Sequence, residues 1–331
     1  MAALALWIAY CSPAVAASET VAADSPAPQV ALRADHMVLD AALHGTRALL
    51  AVQSGRVEVF DWLEGKSLEP LLTLSPEPGH RYPPTISSVA VSPGGRLAAA
   101  AASDGRLRIL ELDGEAEAGP FRTIAARGVQ VCRFLDDRRL LLGTLTGELA
   151  LLALDEGREL FRRQLEYDPV YALAVSPGGR RVAVAFRSSR IQILDAESGE
   201  MVQALEGHRD SVYDLGWLRE TALVSGGKDK RVFLWDLEAS PPQPRLLHQG
   251  DRPVTAIAVD AAGGRVAAAI EEEKIALIEL RSHRVSALLA GHTAPVQVLA
   301  FVQEGRRLIS SGNDARVLVW EVPAHPERGS P

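Results

Sequence analysis

The sequence predicts an all-β chain of seven four-stranded antiparallel units closed into a ring, and three observations carry that reading. One short pattern recurs seven times: a polar or glycine-containing turn, alternating apolar residues, then in most copies an acidic residue. Upstream of most copies lie two short apolar runs joined by a glycine turn, as in SSVAVSPGGRLAAAAAS (87–103) and YALAVSPGGRRVAVAF (171–186). Alternation with period two around such turns describes β-hairpins, and no stretch sustains the 3.6-residue period of a helix. Together these give a seven-bladed β-propeller of four-stranded blades.

The seven copies are SGRVEVFD (54–61), DGRLRILE (104–111), TGELALLA (146–153), SSRIQILD (188–195), DKRVFLWD (229–236), EEKIALIE (272–279) and DARVLVWE (314–321). Their equivalent apolar positions are Phe60, Leu110, Leu152, Leu194, Trp235, Ile278 and Trp320, separated by 50, 42, 42, 41, 43 and 42 residues. A fourth strand follows each acidic residue, as in EMVQALEG (200–207). The last copy has no such strand, because Pro323 and Pro326 follow it. The strand-like stretch Gln29–Arg33 is therefore expected to complete the seventh blade and close the circle, since an open ring leaves two unpaired edges.

Units five and seven resemble WD40 repeats in detail. GHRDSVYDLGWLRETALVSGGKDKRVFLWD (207–236) carries a Gly-His pair, a Ser four residues before the turn Asp, and a terminal Trp-Asp. GHTAPVQVLAFVQEGRRLISSGNDARVLVWE (291–321) does the same with a final Glu. The spacing of about 42 lies within the roughly 40–45 residues of such repeats. The resemblance implies a buried hydrogen-bond chain of Trp235, Ser225, His208 and Asp229 in one blade and of Trp320, Ser310, His292 and Asp314 in the other. A buried indole, hydroxyl and imidazole linked in series satisfy one another, so both histidines read as structural. The other five units are degenerate: unit two keeps the turn Asp104, unit six has Glu272, and the rest have Ser or Thr.

With 47% apolar and 23% charged residues the 331-residue chain can bury a sizeable core. A formal charge of −7 argues against nucleic acid as partner, because phosphate recognition needs a basic surface. Abundant Ala and a preference for Arg over Lys read as the codon bias of a GC-rich, bacterial genome. Ala2–Tyr10 is an apolar run, followed by Ser12-Pro13 and by Ala14-Val15-Ala16, which together read as a signal peptide over residues 1–17. A cytosolic chain with an apolar N-terminal tail is the alternative, since no Lys or Arg precedes the run. Residues 18–28 read as a flexible lead-in, 29–323 as the propeller and 324–331 as a disordered tail. The run is shorter than the roughly 20 residues that span a bilayer, so no membrane insertion is expected after cleavage. Cys11 and Cys132 form no metal or haem motif, and Cys132 reads as a buried structural thiol.

No nucleophile elbow, phosphate loop or metal-ligand helix is present, so no catalytic residue, cofactor or metal is expected. The first interval exceeds the others through the loop around Ser75–Pro84, which would stand on the face where outer strands lead into the next blade. Its Arg81 and Tyr82, with Tyr167, Arg187, Arg209, Tyr213, Lys228 and Arg252, are the candidate partner-binding residues, forming a mildly basic patch that would suit an acidic protein surface. The alanine-rich runs Ala98–Ala102 and Ala267–Ala269 are expected to face the central channel and to bring it no charge. The resulting expectation is a non-enzymatic scaffold that docks a protein partner in the bacterial periplasm, as a monomer within a complex. The alternatives are a lactonase-like, cofactor-dependent or ligand-binding propeller, and a cytosolic WD40 adaptor.

Overall fold

The computed structural model describes residues 27–112, 118–270 and 273–323. The signal-peptide reading, most of the lead-in and the C-terminal tail thus lie outside the described residues. Seven four-stranded antiparallel sheets are present, and no helix occurs among the described residues. In the first blade the strands run Val38–His44, Arg47–Val52, Arg56–Asp61 and Lys66–Thr73, paired in chain order from the axis outward. The inner strands of blades two to six are Ile86–Val91, Val129–Phe134, Val170–Val175, Val212–Arg219 and Ile257–Asp260.

Blade seven is assembled from both parts of the chain, as expected. Val296–Val302, Arg307–Gly312 and Arg316–Glu321 are joined at the outer edge by Val30–Arg33, in antiparallel register with Val30 opposite Val319 and Arg33 opposite Arg316. The apolar pattern explains why the sheets stack as a ring. Second strands such as Leu97–Ala102 are buried on both faces, because each sheet is sandwiched between two neighbours. Outer strands such as Arg158–Gln164 keep most side chains in water.

Each of the seven hydrophobic clusters straddles one seam between adjacent blades. Leu50 and Phe60 of blade one, for example, pack with Ile309 and Val317 of blade seven. The ring is therefore closed twice, by a strand and by a core.

The alanine-rich segments expected at the channel are not there. Leu97–Ala102 and Arg265–Ala269 are second strands, enclosed within the blades, and the channel wall belongs to the strands before them. The correction matters because those inner strands do carry charge.

Candidate functional site

Six inner strands bulge near their start, between Val38 and Asp40, Ile86 and Ser88, Val129 and Val131, Val170 and Ala172, Val212 and Asp214, and Val296 and Val298. A bulge frees one residue from the ladder and re-aims its side chain. Here the freed residues Leu39, Ser87, Gln130, Tyr171, Tyr213 and Gln297 line a central cavity of about 530 Å³, joined by Thr255 of blade six. The wall is thus mostly hydroxyl, amide and phenol.

Three residues beyond each freed one, a further register position brings a cation. Ala42, Ala90, Ala174, Gly216, Ala258 and Ala300 occupy it in six blades, opposite Leu49, Ala99, Ala183, Val224, Ala267 and Ile309. In blade three it holds Arg133, opposite Leu141. The small neighbours leave room for this single long side chain. Its Nη1 lies 2.9 Å and its Nη2 3.1 Å from the two carboxylate oxygens of Asp40. Nη1 also donates to Ser88 Oγ at 3.2 Å and to the Cys132 carbonyl at 2.8 Å. Burial works against the cation, but the Asp40 carboxylate outweighs it and raises the Arg133 pKa above its ordinary value.

Asp40 and Asp214 hold the same register position, in blades one and five. Each stitches its blade to the next. Asp40 accepts the amides of Ala41 at 2.9 Å and Val89 at 3.1 Å, while Asp214 accepts those of Leu215 and Ile257, both at 2.8 Å. Only Asp40 has a cation in contact: among the described residues, no ion pair reaches Asp214. Burial accordingly raises the Asp214 pKa to about 6, although the two amides and the Arg133 charge act to lower it. Cys132, fully buried behind Ser88, has its thiol pushed up to about 11 by burial and stays protonated at neutral pH.

The polar chains in blades five and seven have nearly identical geometry. Trp235 Nε1 donates to Ser225 Oγ at 2.8 Å, the Ser225 hydroxyl meets His208 Nε2 at 2.7 Å, and His208 Nδ1 lies 3.0 Å from Asp229. The matching distances for Trp320, Ser310, His292 and Asp314 are 2.7, 2.7 and 2.9 Å. Because the indole can only donate, each proton points one way: the hydroxyl donates to Nε2, and Nδ1–H donates to the carboxylate. Burial opposes both carboxylates, yet their histidine and backbone donors hold Asp229 and Asp314 below the usual range. In blade two Ala100 and Leu110 stand where Ser225 and Trp235 do, and the buried Arg108 takes Asp104 instead, its Nη1 2.8 Å from Oδ1.

On the loop-bearing face, Tyr167 is 93% and Tyr82 71% exposed, and the Arg81 guanidinium lies 5.5 Å from the Tyr82 ring. Arg209, Lys228 and Arg252 are exposed as well. Two of the patch's five cations are neutralised, Arg187 by Asp168 at 3.2 Å and Lys228 by Asp210 at 3.5 Å, the acids coming from adjacent loops. One placement is corrected. Tyr213 does not project from the face: it is half-buried in the channel wall, its ring 5.8 Å from that of Tyr171. Among the described residues no group of three or more His, Cys, Asp or Glu could hold a metal ion. No helix of the described chain is long and apolar enough to cross a membrane.

Residues 68–110 and 283–321 match the family described as WD domain, G-beta repeat. Over these two segments the chain is similar to WD40 repeats. Residues 140–220 further match the anaphase-promoting complex subunit 4 WD40 domain. Both WD40 matches begin in or just before an outer strand and end in the third strand of the next blade, so repeat and blade are offset by one strand. That offset is why the last blade must borrow Val30–Arg33. Among curated proteins, the chain is 32% identical over 208 residues to THO complex subunit 6 homolog of Rattus norvegicus, covering 57% of this chain and 56% of that protein. It is 30% identical over 168 residues to rat telomerase protein component 1, covering 48% of this chain and 6% of the relative. With meiotic fizzy-related protein 1 of Schizosaccharomyces pombe it shares 28% identity over 40% of its own length and 32% of the relative's. The chain thus spans between 6% and 56% of the length of these relatives.

Proposed function

We propose that this WD40 propeller is a non-enzymatic scaffold that docks a protein partner on its loop-bearing face. The observation that carries the reading is the exposure of Tyr167 and Tyr82 on two loops that both lead from an outer strand into the next inner strand. Large aromatic rings held in water by a rigid ring of sheets are the residue type that anchors interfaces. A relative named as a subunit of a complex supports the same reading. Pairing of Arg187 with Asp168 and of Lys228 with Asp210 shifts recognition from net charge toward these aromatic anchors and Arg81. The test is affinity capture from the native host with wild type and a Tyr82→Ala/Tyr167→Ala variant. Loss of a stoichiometric partner at an unchanged melting temperature is expected, and equal recovery by both proteins overturns the reading.

The apolar run Ala2–Tyr10 and the Ala14-Val15-Ala16 motif support placing this scaffold in the bacterial periplasm. Mass spectrometry of the native protein tests it. A mature chain starting at Ala17 or Ser18 is expected, and an intact Met1 would make it a cytosolic adaptor.

A further inference from the structure

We propose that the central channel is a binding site for an alkylammonium group, with Asp214 as counter-ion and Tyr171 and Tyr213 as flanking walls. The inference rests on the channel alone and is independent of the docking reading above.

The comparison of Asp40 with Asp214 leads to it. The two carboxylates share one register position and equivalent pairs of amide donors, yet Asp40 also receives both Nη groups of Arg133 while Asp214 receives only the Leu215 and Ile257 amides. Asp40 and Arg133 cancel, so the three charged side chains lining the cavity leave one negative charge, and it resides on Asp214. A desolvated carboxylate beside a polar cavity of about 530 Å³ favours a cation over an anion or a neutral guest. The phenol rings select the kind of cation. Tyr213 is the residue before Asp214, Tyr171 is its tilted neighbour at 5.8 Å, and both line the same cavity. Aromatic faces attract an organic ammonium within about 6 Å of the ring centroid. Gln130, Gln297 and Ser87 supply hydrogen-bond acceptors for the N–H groups.

Access is from the loop-bearing face, because Tyr171 and Tyr213 stand at the starts of Val170–Val175 and Val212–Arg219, where the loops lead into the inner strands. Lys228 and Asp210 are exposed and paired with each other, so they neither fill nor block the site. The groups facing Asp214 are Asp40 from blade one, Arg133 from blade three, Tyr171 from blade four and its own neighbour Tyr213; Ser88, Thr255, Ile257 and Gln297 from the remaining blades do not titrate. Burial raises the Asp214 pKa to about 6. Binding should hold at about pH 8 and fade as the carboxyl protonates.

The experiment is titration of the whole chain with butylammonium chloride, followed by calorimetry and by side-chain chemical shifts, with 1-pentanol as neutral control. Saturable one-to-one binding is expected, absent for the alcohol, and at least about tenfold weaker at about pH 5 in the unmodified protein. Asp214→Asn should abolish it, and Tyr213→Leu should weaken it about threefold through the lost cation–π contact. A parallel titration with Nα-acetyl-lysine methylamide separates the sources of the group: binding of both probes points to a side chain presented by a larger ligand, whereas exclusion of the lysine derivative leaves a free small amine. No saturable binding by either probe, or butylammonium binding unchanged in Asp214→Asn and at low pH, overturns the proposal.

Discussion

Arg133 of the third blade grips Asp40 of the first, Nη1 to Oδ2 at 2.9 Å and Nη2 to Oδ1 at 3.1 Å, across Ser88 of the second. Three blades are thereby tied at the axis by one side chain. The Ser88 hydroxyl donates to Asp40 and accepts the Cys132 amide, so the tie is a connected network rather than an isolated ion pair.

Arg133→Met should therefore destabilise the protein by about 1–2 kcal/mol. The figure sits below the 3–5 kcal/mol of a fully buried broken pair because channel water reaches the arginine, whose side chain is 34% exposed. A denaturation double-mutant cycle with Asp40→Asn checks it. Additive effects of the two changes would show that the pair is not coupled.

Trp235→Phe keeps the ring in the seam but removes the indole N–H, leaving Ser225 Oγ without its donor. A loss of about 1–3 kcal/mol is expected from the interrupted chain. An unchanged urea midpoint would mean that this hydrogen bond contributes nothing to stability.

Acid should weaken blades five and seven. Asp229 and Asp314 have pKa values lowered below their ordinary range, so their stabilising contribution is present above the unfolded value of about 3.9 and is lost as pH falls through the folded one. Burial also lowers His292 despite Asp314 beside it, which removes stability as pH falls below its unfolded value of about 6.5. Asp214 has the opposite sign: with its pKa raised, its relative contribution is present below the unfolded value and is lost as pH rises through about 6. Melting temperatures of Asp229→Asn and Asp214→Asn across pH should diverge from wild type in opposite directions.

Removing the chain up to Arg33 deletes the outer strand of blade seven and exposes the edge of Arg316–Glu321. Amide exchange in that strand should accelerate by about tenfold or more, while strands of blades three and four stay protected. Uniform acceleration around the ring would instead show that the ring unfolds only as a whole.

Gly147 has φ of +81°, and a side chain there would drive a carbon into the backbone carbonyls of Glu166 and Asp168. Gly147→Ala should cost about 1–3 kcal/mol by thermal denaturation, combining the left-handed backbone with the collision. Gly157, at φ of +63° with open space around it, is the control, expected to lose less.

The blades, their number and the borrowed closing strand were legible in the sequence because each leaves a local mark: a recurring turn, an alternating run, a missing fourth strand. The histidine chains were legible through the resemblance of units five and seven to WD40 repeats, which assigns the four residue types to those positions. The channel was not, for a physical reason. A bulge inserts one residue without altering which residues are apolar, so period-two reading assigns Tyr171 and Tyr213 no inward direction. A usable signal did exist at Arg133, a lone charge amid Val131-Cys132-Arg133-Phe134, at a register where the other blades carry Ala or Gly. The pairing of Arg187 and Lys228 escaped notice because Asp168 and Asp210 lie on adjacent loops, whose approach only the assembled blades fix.

The shared seventh blade also sets an order of events during synthesis. Val30 leaves the ribosome early and has no partner until Val319 follows it, so the growing chain carries an unmatched β-edge through the making of six blades. Those six can form as they emerge, but the circle can be sealed only once Arg316–Glu321 is made. A nascent chain cut short anywhere before that point is an open arc, with a β-strand at its beginning still free to pair with another molecule.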